Sequence, residues 1–331
     1  MIINILGNTT WGTTLAKVLS NDKNQVNLIY IDEKKLIKVN NEPSIKVNQF
    51  EIPKSKNINH LHIDETDLNS DDILIIAVPS PRLETNLNLI KSKVTNSTQI
   101  ISASKGFDKD GNTLSVLIKN ILNISVDNIG VLSGPNLSSE ILMNKPATSL
   151  LSFRDIKKAN YIRDRIANEI FRIYSGSDVI GSEIGGSLKN IIAIGCGIID
   201  KMQLGDNAKS AFISRGLREI VRYGTSFKAK EYTFYGLSGI GDLIATCVSN
   251  LSRNWQLGFA LASGETLESF IKKNKVTLEG ANASKIVNDV AMEKKLEMPI
   301  TLMTNKVVHE NYDPVDAIKE FMGRNPSKER N

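Results

Sequence analysis

The chain has 331 residues, of which 41% are hydrophobic and 23% are charged, a balance typical of a globular protein that buries a core. Its formal net charge of +5 is small and its basic residues are scattered, so the composition favours an anionic small molecule over nucleic acid as a partner. The longest apolar runs, such as residues 73–79, are too short to cross a membrane.

Cysteine and histidine are scarce, and their spacing predicts neither a disulfide framework nor a metal site. The two cysteines, Cys196 and Cys247, lie far apart, which makes a reducing, cytoplasmic setting the expectation. No basic segment precedes the first apolar run, so we expect no secretory signal. The histidines are His60, His62 and His309, in strand-like or polar helical segments, and we expect them to be structural or exposed. A catalytic histidine–aspartate relay is therefore disfavoured.

The first half of the chain alternates short apolar runs with amphipathic patterns. The apolar runs predict strands at Ile2–Leu6, Val26–Ile31, Ile73–Val78, Gln99–Ala103, Asn128–Leu132 and Thr148–Phe153, and the segment around His60 also has strand-like alternation. The intervening patterns predict helices at Thr10–Ser20, Glu33–Asn40, Arg82–Lys91, Thr113–Leu122 and Leu137–Asn144. This alternation predicts βαβ units and a mostly parallel sheet.

From Glu183 to about Gly323 the pattern is helical and is interrupted by glycine-rich loops. We place a domain boundary near residues 177–182. The predicted organisation is an α/β domain over residues 1–180, an all-α domain over residues 181–323 and a polar tail over residues 324–331.

The stretch ILGNTTWGTTLA, residues 5–16, joins the first strand to the first helix in the manner of a dinucleotide-binding loop. Gly7 suits the tight turn and Gly12 suits close packing of helix on strand, but Thr9 stands where the middle glycine of G-x-G-x-x-G is expected. Because a β-branched residue disfavours positive φ, we expect Thr9 to take a β-region φ or to shift the loop outward, and Thr9→Gly to lower the KM for the cofactor. The alternative is a turn that needs its glycines only for packing.

Asp32 follows the second strand at the distance where an acid binds the ribose hydroxyls of NAD. Lys34 and Lys35 follow two and three residues later and suit a 2′-phosphate instead. A solvated helix start is the structural alternative, because acids favour helix N-termini.

The segment GGSLKNIIAIGCGIID opens the second half with a helix whose apolar face comprises Leu188, Ile191, Ile192, Gly195, Ile198 and Ile199. Lys189 lies beside that face, in line with the small residues Gly185, Gly186, Ala193 and Cys196. A partly desolvated lysine at such a place is a candidate general acid/base. The alternative is a lysine that snorkels from a packed helix.

Two further segments follow predicted strands. ASKGF places Lys105 at the carboxyl end of its strand, where ligands bind in open α/β sheets. SGPN, residues 133–136, follows the next strand, and Asn136 is predicted to cap the helix after it. Together they offer a cation and backbone amides to an anion, although each is also compatible with an ordinary turn.

The helical half contributes three more candidates. GLSGIGDL, residues 236–243, contains a single acid, Asp242, and LEGAN contributes Glu279. SRN, residues 252–254, sets Arg253 between a hydroxyl and an amide, which is a natural phosphate fork. A helix start with a surface arginine is the alternative.

GNTTWG, VPS (residues 78–80), ASKG, SGPN, GSLKNIIAIGCG, GLSGIGDL, SRN and LEG occur in an order and spacing that resemble bacterial glycerol-3-phosphate dehydrogenases, from about Ile2 to Gly323. The resemblance implies a Rossmann-like domain, an α-helical substrate domain and an active site between them. It implies reversible reduction of dihydroxyacetone phosphate by NADH or NADPH to sn-glycerol 3-phosphate, which supplies phospholipid synthesis.

By the same resemblance, Lys189 is the catalytic proton donor at the substrate C2 oxygen, and Asp242 is inferred to orient it. The expected substrate contacts are Lys105, Gly134, Asn136, Lys189, Asp242, Ser252, Arg253 and Asn254. The loop pattern and the resemblance together give the expected cofactor contacts Gly7, Thr10, Trp11, Gly12, Asp32, Lys105, Ser138, Arg253, Thr277 and Glu279. We expect no metal ion, no nucleic acid, no membrane insertion, and a homodimer, the commonest assembly.

The chain departs from the family pattern at four places. Thr9 replaces the middle glycine, and Asn136 stands where Thr or Ser is common. Trp255 follows SRN where relatives often carry a basic residue, so a weaker grip on phosphate or cofactor is expected. Ile31 replaces a polar or basic residue near the ribose, which leaves the choice between NAD and NADP open.

Two other functions stay open at this point. One is another two-domain reductase with a lysine acid, of the ketopantoate type, whose substrate has a carboxylate and no phosphate. The other is a catalytically idle nucleotide-binding protein whose cofactor loop has changed at Thr9.

Overall fold

The computed structural model describes residues 2–47, 49–69 and 72–323. Its strands are β1 (Ile2–Leu6), β2 (Gln25–Tyr30), β3 (Ser44–Val47), β4 (Phe50–Pro53), β5 (Ile58–His62), β6 (Ile73–Ile76), β7 (Gln99–Ser102), β8 (Ile129–Ser133), β9 (Ala147–Ser152) and β10 (Phe171–Gly176). Eight of them form one sheet in the order β10-β9-β8-β7-β6-β1-β2-β5, while β3 and β4 form a separate antiparallel pair. Within the large sheet the β8–β9 pairing is antiparallel and the others are parallel.

Helices cover both faces of this sheet, which is why its central strands are apolar throughout. Those that precede or connect its strands are α1 (Thr10–Leu19), α2 (Glu33–Asn41), α3 (Leu83–Ile90), α4 (Leu114–Leu122), α5 (Ser138–Leu142) and α6 (Ile156–Ile166). Along β6, Ile73 and Ile75 join the core beneath α1 and α6, whereas Leu74 and Ile76 join the core beneath α3 and α4. The alternation follows the two-residue period of a strand.

The second half of the described chain is helical. Its helices are α7 (Val179–Lys201), α8 (Gly205–Ser226), α9 (Asp242–Val248), α10 (Arg253–Leu261), α11 (Leu267–Asn274), α12 (Glu279–Glu293), α13 (Pro299–His309) and α14 (Pro314–Met322). The long helix α7 is buried along most of its length and packs against α8, α9, α10 and α12. Gly258 allows α10 to approach α7 closely, because a Cβ there would overlap the carbonyl oxygen of Ile194.

These elements confirm the predicted fold class, a Rossmann-like α/β half followed by an all-α half. The predicted strands and helices named above differ from the observed ones by at most two residues at either end. The prediction missed β3, β4, α6 and β10. The edge strand β10 alternates buried and exposed residues (Phe171 and Ile173 buried, Arg172 and Tyr174 exposed), so it lacks the continuous apolar run of the central strands. The predicted tail, residues 324–331, lies outside the described residues.

The sheet topology fixes where a ligand can bind. The chain leaves β1 for β2 on one side, and after β5 it crosses to β6 on the other side of β1. Parallel sheets bind ligands in the crevice at the carboxyl ends of the strands where this reversal occurs. The loops at this edge begin at Gly7 after β1, at Ala77 after β6 and at Ala103 after β7.

No helix among the described residues is long and apolar enough to span a membrane. The described residues likewise contain no group of three or more His, Cys, Asp or Glu side chains placed to hold a metal ion. Both cysteines, Cys196 and Cys247, are free and buried.

Candidate active site

The β1–α1 loop needs both of its glycines. Gly7 has φ +118°, and a Cβ on it would lie 2.7 Å from the carbonyl oxygen of Ala77. A Cβ on Gly12 would overlap the carbonyl oxygen of Gly7. The turn therefore brings the first turn of α1 close to the end of β1, and α1 has no acidic residue in its first turn that would repel a phosphate.

Thr9 caps the helix of this loop. Its φ of −84° and ψ of 170° lie in the β region, which confirms that part of the prediction. The Thr9 hydroxyl accepts a hydrogen bond from the Gly12 amide at 3.0 Å and donates to the Ala77 carbonyl at 2.8 Å. Thr9 thus stabilises the start of α1 and fastens the loop to the end of β6.

A buried carboxylate shared by two lysines forms the centre of the site. The Lys189 ammonium on α7 donates to Oδ1 of Asp242 and, at 2.7 Å, to the Thr246 hydroxyl. The Lys105 ammonium, from the loop after β7, lies 2.6 Å from Oδ2 of Asp242 and 3.4 Å from the carbonyl oxygen of Gly134. The Asp242 side chain is 1% exposed, against 8% for Lys189 and 18% for Lys105. Both halves of the chain therefore meet at one carboxylate.

The local fold explains why Asp242 faces Lys189. A single π-helical turn, Leu237–Gly241, precedes α9, and Asp242 is the first residue of that helix. Gly185 on α7 allows this turn to pack closely, since a Cβ there would overlap the carbonyl oxygen of Ser238. Such irregular turns often occur at functional sites because they redirect one side chain.

Burial perturbs the protonation of Lys189. Desolvation lowers the pKa of Lys189 from 10.5 to about 8; the negative charge of Asp242 acts in the opposite direction, and the positive charge of Lys105 lowers the pKa further. A lysine with this pKa exchanges a proton near neutral pH, whereas an exposed lysine does not.

The first turn of α10 lies in the same region of the helical half. Ser252 precedes the helix, and its hydroxyl accepts from the Trp255 amide at 3.3 Å. The buried Asn254 side chain donates to Oδ1 of Asn190 at 3.0 Å and accepts from the Gly280 amide at 3.0 Å. Asn190 directly follows Lys189, so this network ties the start of α10 to the helix that carries Lys189.

Glu279 adds a buried carboxyl group to this region. Burial raises the pKa of Glu279, while the positive charges of Arg253, Lys105 and Lys189 and a hydrogen bond from the Ser80 amide oppose the rise. Arg253, the first residue of α10, is exposed. Glu279 thus lies against the loop after β6 and near the charges of Lys105, Lys189 and Arg253.

Trp255 stands where a basic residue is common in the family pattern, but its side chain makes structural contacts. Its indole N–H donates to Oδ2 of Asp200 at 2.6 Å, and its ring stacks on Phe259 with 5.1 Å between centroids. Lys209 lies 2.5 Å from the same oxygen of Asp200. Trp255 therefore anchors the start of α10 to the C-terminal end of α7.

The prediction that Asn136 caps a helix is wrong. Helix α5 begins at Ser138 and is preceded by Leu137, so Asn136 lies one residue too early in the chain. Its side-chain amide instead donates to the Ser149 hydroxyl on β9 at 2.6 Å. Gly134, beside it, has φ +152°, a conformation that favours glycine.

The remaining predicted cofactor contacts lie at element ends. Thr10 and Trp11 begin α1, Ser138 begins α5, and Thr277 lies two residues before α12. Asp32 caps α2 by accepting from the Lys35 amide at 3.2 Å, as its structural alternative predicted, and it remains exposed at the end of β2.

The histidines have structural contacts. His60 lies 3.1 Å from the Tyr30 hydroxyl, and burial lowers the pKa of His60 to about 4. His62 caps a short 3-10 turn, and His309 lies 2.8 Å from the Ala281 carbonyl oxygen. These contacts agree with the structural roles expected from the sequence.

Sequence reasoning missed three residues that complete the site. Thr246 accepts a hydrogen bond from Lys189, and Asn190 accepts one from Asn254. The Ser80 amide donates to Glu279. Thr246 lies one helical turn after Asp242 and so shares its helix face, a spacing that carried the signal. Asn190 and Ser80 acquire their roles only through tertiary contacts.

The chain matches the description of NAD-dependent glycerol-3-phosphate dehydrogenases in two parts. The model of the family's N-terminal part matches residues 2–159, and the model of its C-terminal part matches residues 178–319. A protein named glycerol-3-phosphate dehydrogenase (NAD(P)+) from Oceanobacillus iheyensis is 34% identical over 321 residues, which cover 97% of this chain and 93% of the relative. A protein of the same name from Dehalococcoides mccartyi is 38% identical over 325 residues, covering 96% and 89%.

A solved structure gives the same result. Glycerol-3-phosphate dehydrogenase from Coxiella burnetii is similar with a TM-score of 0.89 and 30% sequence identity, covering 98% of this chain and 99% of that one. Similarity of sequence and fold extends over both halves of the chain, so the ketopantoate-type and idle alternatives are not favoured. The chain belongs to the NAD-dependent glycerol-3-phosphate dehydrogenase family.

Proposed function

We propose that Lys189 is the proton donor and acceptor in the reaction of this chain, the reversible reduction of dihydroxyacetone phosphate to sn-glycerol 3-phosphate with NADH or NADPH. The observation that carries the proposal is the buried Asp242 carboxylate that Lys189 and Lys105 share at the carboxyl edge of the sheet. This arrangement places a titratable ammonium group in a desolvated site.

The β1–α1 loop fits the pyrophosphate of the cofactor. Gly7 and Gly12 bring backbone close to the start of α1, whose N-terminal amides and dipole favour an anion. Thr10 and Trp11 at this helix start, with Asp32 at the end of β2, are our further cofactor contacts on this side of the crevice. When bound, the dihydronicotinamide supplies the hydride.

Gly7 and Gly12 bind from the sheet side, and further residues of both halves complete the cofactor site. We assign this role to Ser138 at the start of α5 and, in the helical half, to Thr277, Glu279 and Arg253, with Lys105 between cofactor and substrate. The positive charge of the exposed Arg253 guanidinium opposes the rise in the pKa of the buried Glu279 carboxyl group, so the two groups lie near each other.

Lys189 acts at the C2 oxygen of the substrate. As an ammonium it polarises the carbonyl and then delivers a proton to the alkoxide that forms on reduction. Asp242 holds the ammonium by its carboxylate, and Thr246 accepts a second hydrogen bond, so the donor is oriented before substrate binds. In the reverse direction the neutral amine accepts the proton of the hydroxyl.

The phosphate of the substrate is bound at the start of α10. The Arg253 guanidinium supplies charge and paired donors, and the Ser252 hydroxyl, which accepts from Trp255, can still donate its own proton. Asn254 fixes this turn through Asn190 and Gly280. Binding energy from the phosphate orients the carbonyl toward Lys189. Gly134 and Asn136, after β8, complete the substrate contacts beside Lys105.

Oxidation of NADH and of NADPH, followed by nicotinamide absorbance, tests the proposed substrate. Each cofactor is offered with dihydroxyacetone phosphate, with ketopantoate and with neither. We expect cofactor oxidation that depends on dihydroxyacetone phosphate, because the Arg253 guanidinium provides the cation that binds a phosphate group. Turnover of ketopantoate alone would support the reductase with a carboxylate substrate, and no turnover with either would leave only nucleotide binding.

We also propose a division into domains at residues 1–180 and 181–323, a homodimeric assembly, a cytoplasmic location and a role in supplying glycerophospholipid synthesis. The end of β10 at Gly176 and the start of α7 at Val179 support the boundary. The exposed apolar side chains Ile244, Val248 and Leu251 around the outer side of α9 are suited to contact a second subunit. Light scattering coupled to gel filtration measures the assembly.

A further inference from the structure

Helix α7 holds the loop that carries Lys105 at two points. The Ser187 hydroxyl accepts from the Gly106 amide at 2.8 Å and also lies 3.2 Å from the Gly106 carbonyl oxygen. One turn earlier, the buried Glu183 carboxylate accepts from the Ser115 amide at 2.8 Å and from the Ser115 hydroxyl at 2.5 Å. These contacts join the helical half to a loop of the α/β half.

The two anchors lie on either side of the loop between β7 and α4. Gly106 directly follows Lys105, and Ser115 is the second residue of α4. Between them, Phe107 packs edge-to-face on Tyr223 of α8, with 5.9 Å between centroids. Contacts with helices of the opposite half therefore fix Gly106 and Phe107 near the beginning of the loop, and Ser115 just after its end.

The anchors share a helix with the proton donor. Lys189 lies two residues after Ser187, and a Cβ on Gly186 would lie 3.5 Å from the Lys105 side chain. The distance between the two lysines is thus set by one rigid helix, because α7 carries Lys189 directly and holds Lys105 through its loop. A carboxylate that must contact both ammonium groups, as Asp242 does, requires this spacing.

We propose that Glu183 and Ser187 are positioning residues that place Lys105 against Asp242 and the substrate. The proposal rests on the proposed function in that it assigns Lys105 to the substrate site. Glu183 and Ser187 act through the loop and need not touch the substrate themselves. Loss of either anchor lets the loop move, and displacement of a substrate-binding group by about 1 Å can cost about a hundredfold in rate.

The principal test is Glu183→Ala, with Glu183→Gln as the conservative variant. We expect Glu183→Ala to lower kcat/KM for dihydroxyacetone phosphate by about ten- to a hundredfold, mainly through KM. Glu183→Gln should restore most of it, because its amide oxygen accepts from the Ser115 amide and its NH2 group donates to the Ser115 hydroxyl. An unchanged KM in Glu183→Ala would overturn the proposal.

Glu219→Ala is the matched control for loss of a buried carboxylate. Glu219 also accepts from backbone amides and a hydroxyl, those of Ile300 and Thr301 on α13. Glu219→Ala should lower thermal stability as Glu183→Ala does, yet leave the KM for dihydroxyacetone phosphate unchanged. An equal rise of KM in both variants would mean that Glu183 has only a structural role.

A double-mutant cycle shows whether Glu183 acts through Lys105. In a Lys105→Ala background, Glu183→Ala should cause little further loss of kcat/KM, because the group that it positions is already absent. Losses that multiply would contradict the proposal. If Glu183→Ala does not fold, Ser187→Ala replaces it in the same cycle with the same expectation.

Hydrogen exchange tests the anchors without turnover. Glu183→Ala and Ser187→Ala should both speed exchange in the peptide covering residues 104–115, and Glu219→Ala should not. Unchanged exchange in this peptide would overturn the proposal. Absence of dihydroxyacetone phosphate turnover in the wild-type enzyme would instead refute the proposed function, so the two failures are distinguishable.

Discussion

The buried position of Lys189 predicts opposite pH dependences for the two directions of the reaction. Reduction needs the ammonium form, and oxidation of sn-glycerol 3-phosphate needs the amine. With a Lys189 pKa of about 8, roughly nine-tenths of the side chain is protonated at about pH 7 and roughly one-tenth at about pH 9. The reduction rate should therefore fall about tenfold over this interval, while the oxidation rate rises about tenfold.

Initial rates at saturating substrate and cofactor, measured in both directions at constant ionic strength, check this expectation. Two variants test its cause. Lys105→Met removes a cation that lowers the pKa of Lys189, so the midpoint should move to higher pH. Asp242→Asn removes the charge that raises this pKa, so the midpoint should move to lower pH. A reduction rate that is constant over the interval, or midpoints that move in the same direction in both variants, would refute the assignment.

Two substitutions test the loops around the site. Thr9→Gly loses a helix cap and the hydrogen bond to Ala77, so we expect the free energy of unfolding to fall by about 1–2 kcal/mol. We also expect the KM for NADH to rise, contrary to the expectation from the sequence alone. Thr9→Ser, which keeps the hydroxyl, is the control, and a lower KM in Thr9→Gly would show that the loop binds NADH better without its cap. Trp255→Phe keeps the stacked ring but loses the N–H donor to Asp200, so it should destabilise the protein by about 1–2 kcal/mol and raise the KM for dihydroxyacetone phosphate. Thermal unfolding measures the stability, and steady-state kinetics measure the KM. Unchanged values of both would mean that this hydrogen bond does not hold the start of α10.

Much of the fold was predictable because its signals are local. Central strands buried on both faces need continuous apolar runs, and the loops after them need glycines where backbones approach, as at Gly7 and Gly12. The candidate site was predictable where one residue type carries the chemistry, as Lys189 does on a helix lined with small residues.

The rest depended on contacts between distant parts of the chain. Glu183 looks like an ordinary polar residue of a helix until its carboxylate is seen at Ser115, 68 positions away in sequence. Thr9 was interpreted as an imperfect glycine because its hydroxyl partner at the end of β6 is not a sequence neighbour. The predicted cap of α5 was placed at Asn136, one residue before the observed cap Leu137. Helix propensity cannot resolve this error, because Asn favours turns as well as caps.

The rate of NADH and NADPH oxidation by Lys189→Ala in the presence of dihydroxyacetone phosphate tests the central claim most directly. Asp242 keeps Lys105 as a partner in this variant, so its charge remains compensated. We predict a loss in kcat of about a hundredfold to ten-thousandfold, with NADH binding, measured by fluorescence titration, unchanged. Equal rates in the wild-type enzyme and Lys189→Ala would contradict the role of Lys189 as the proton donor.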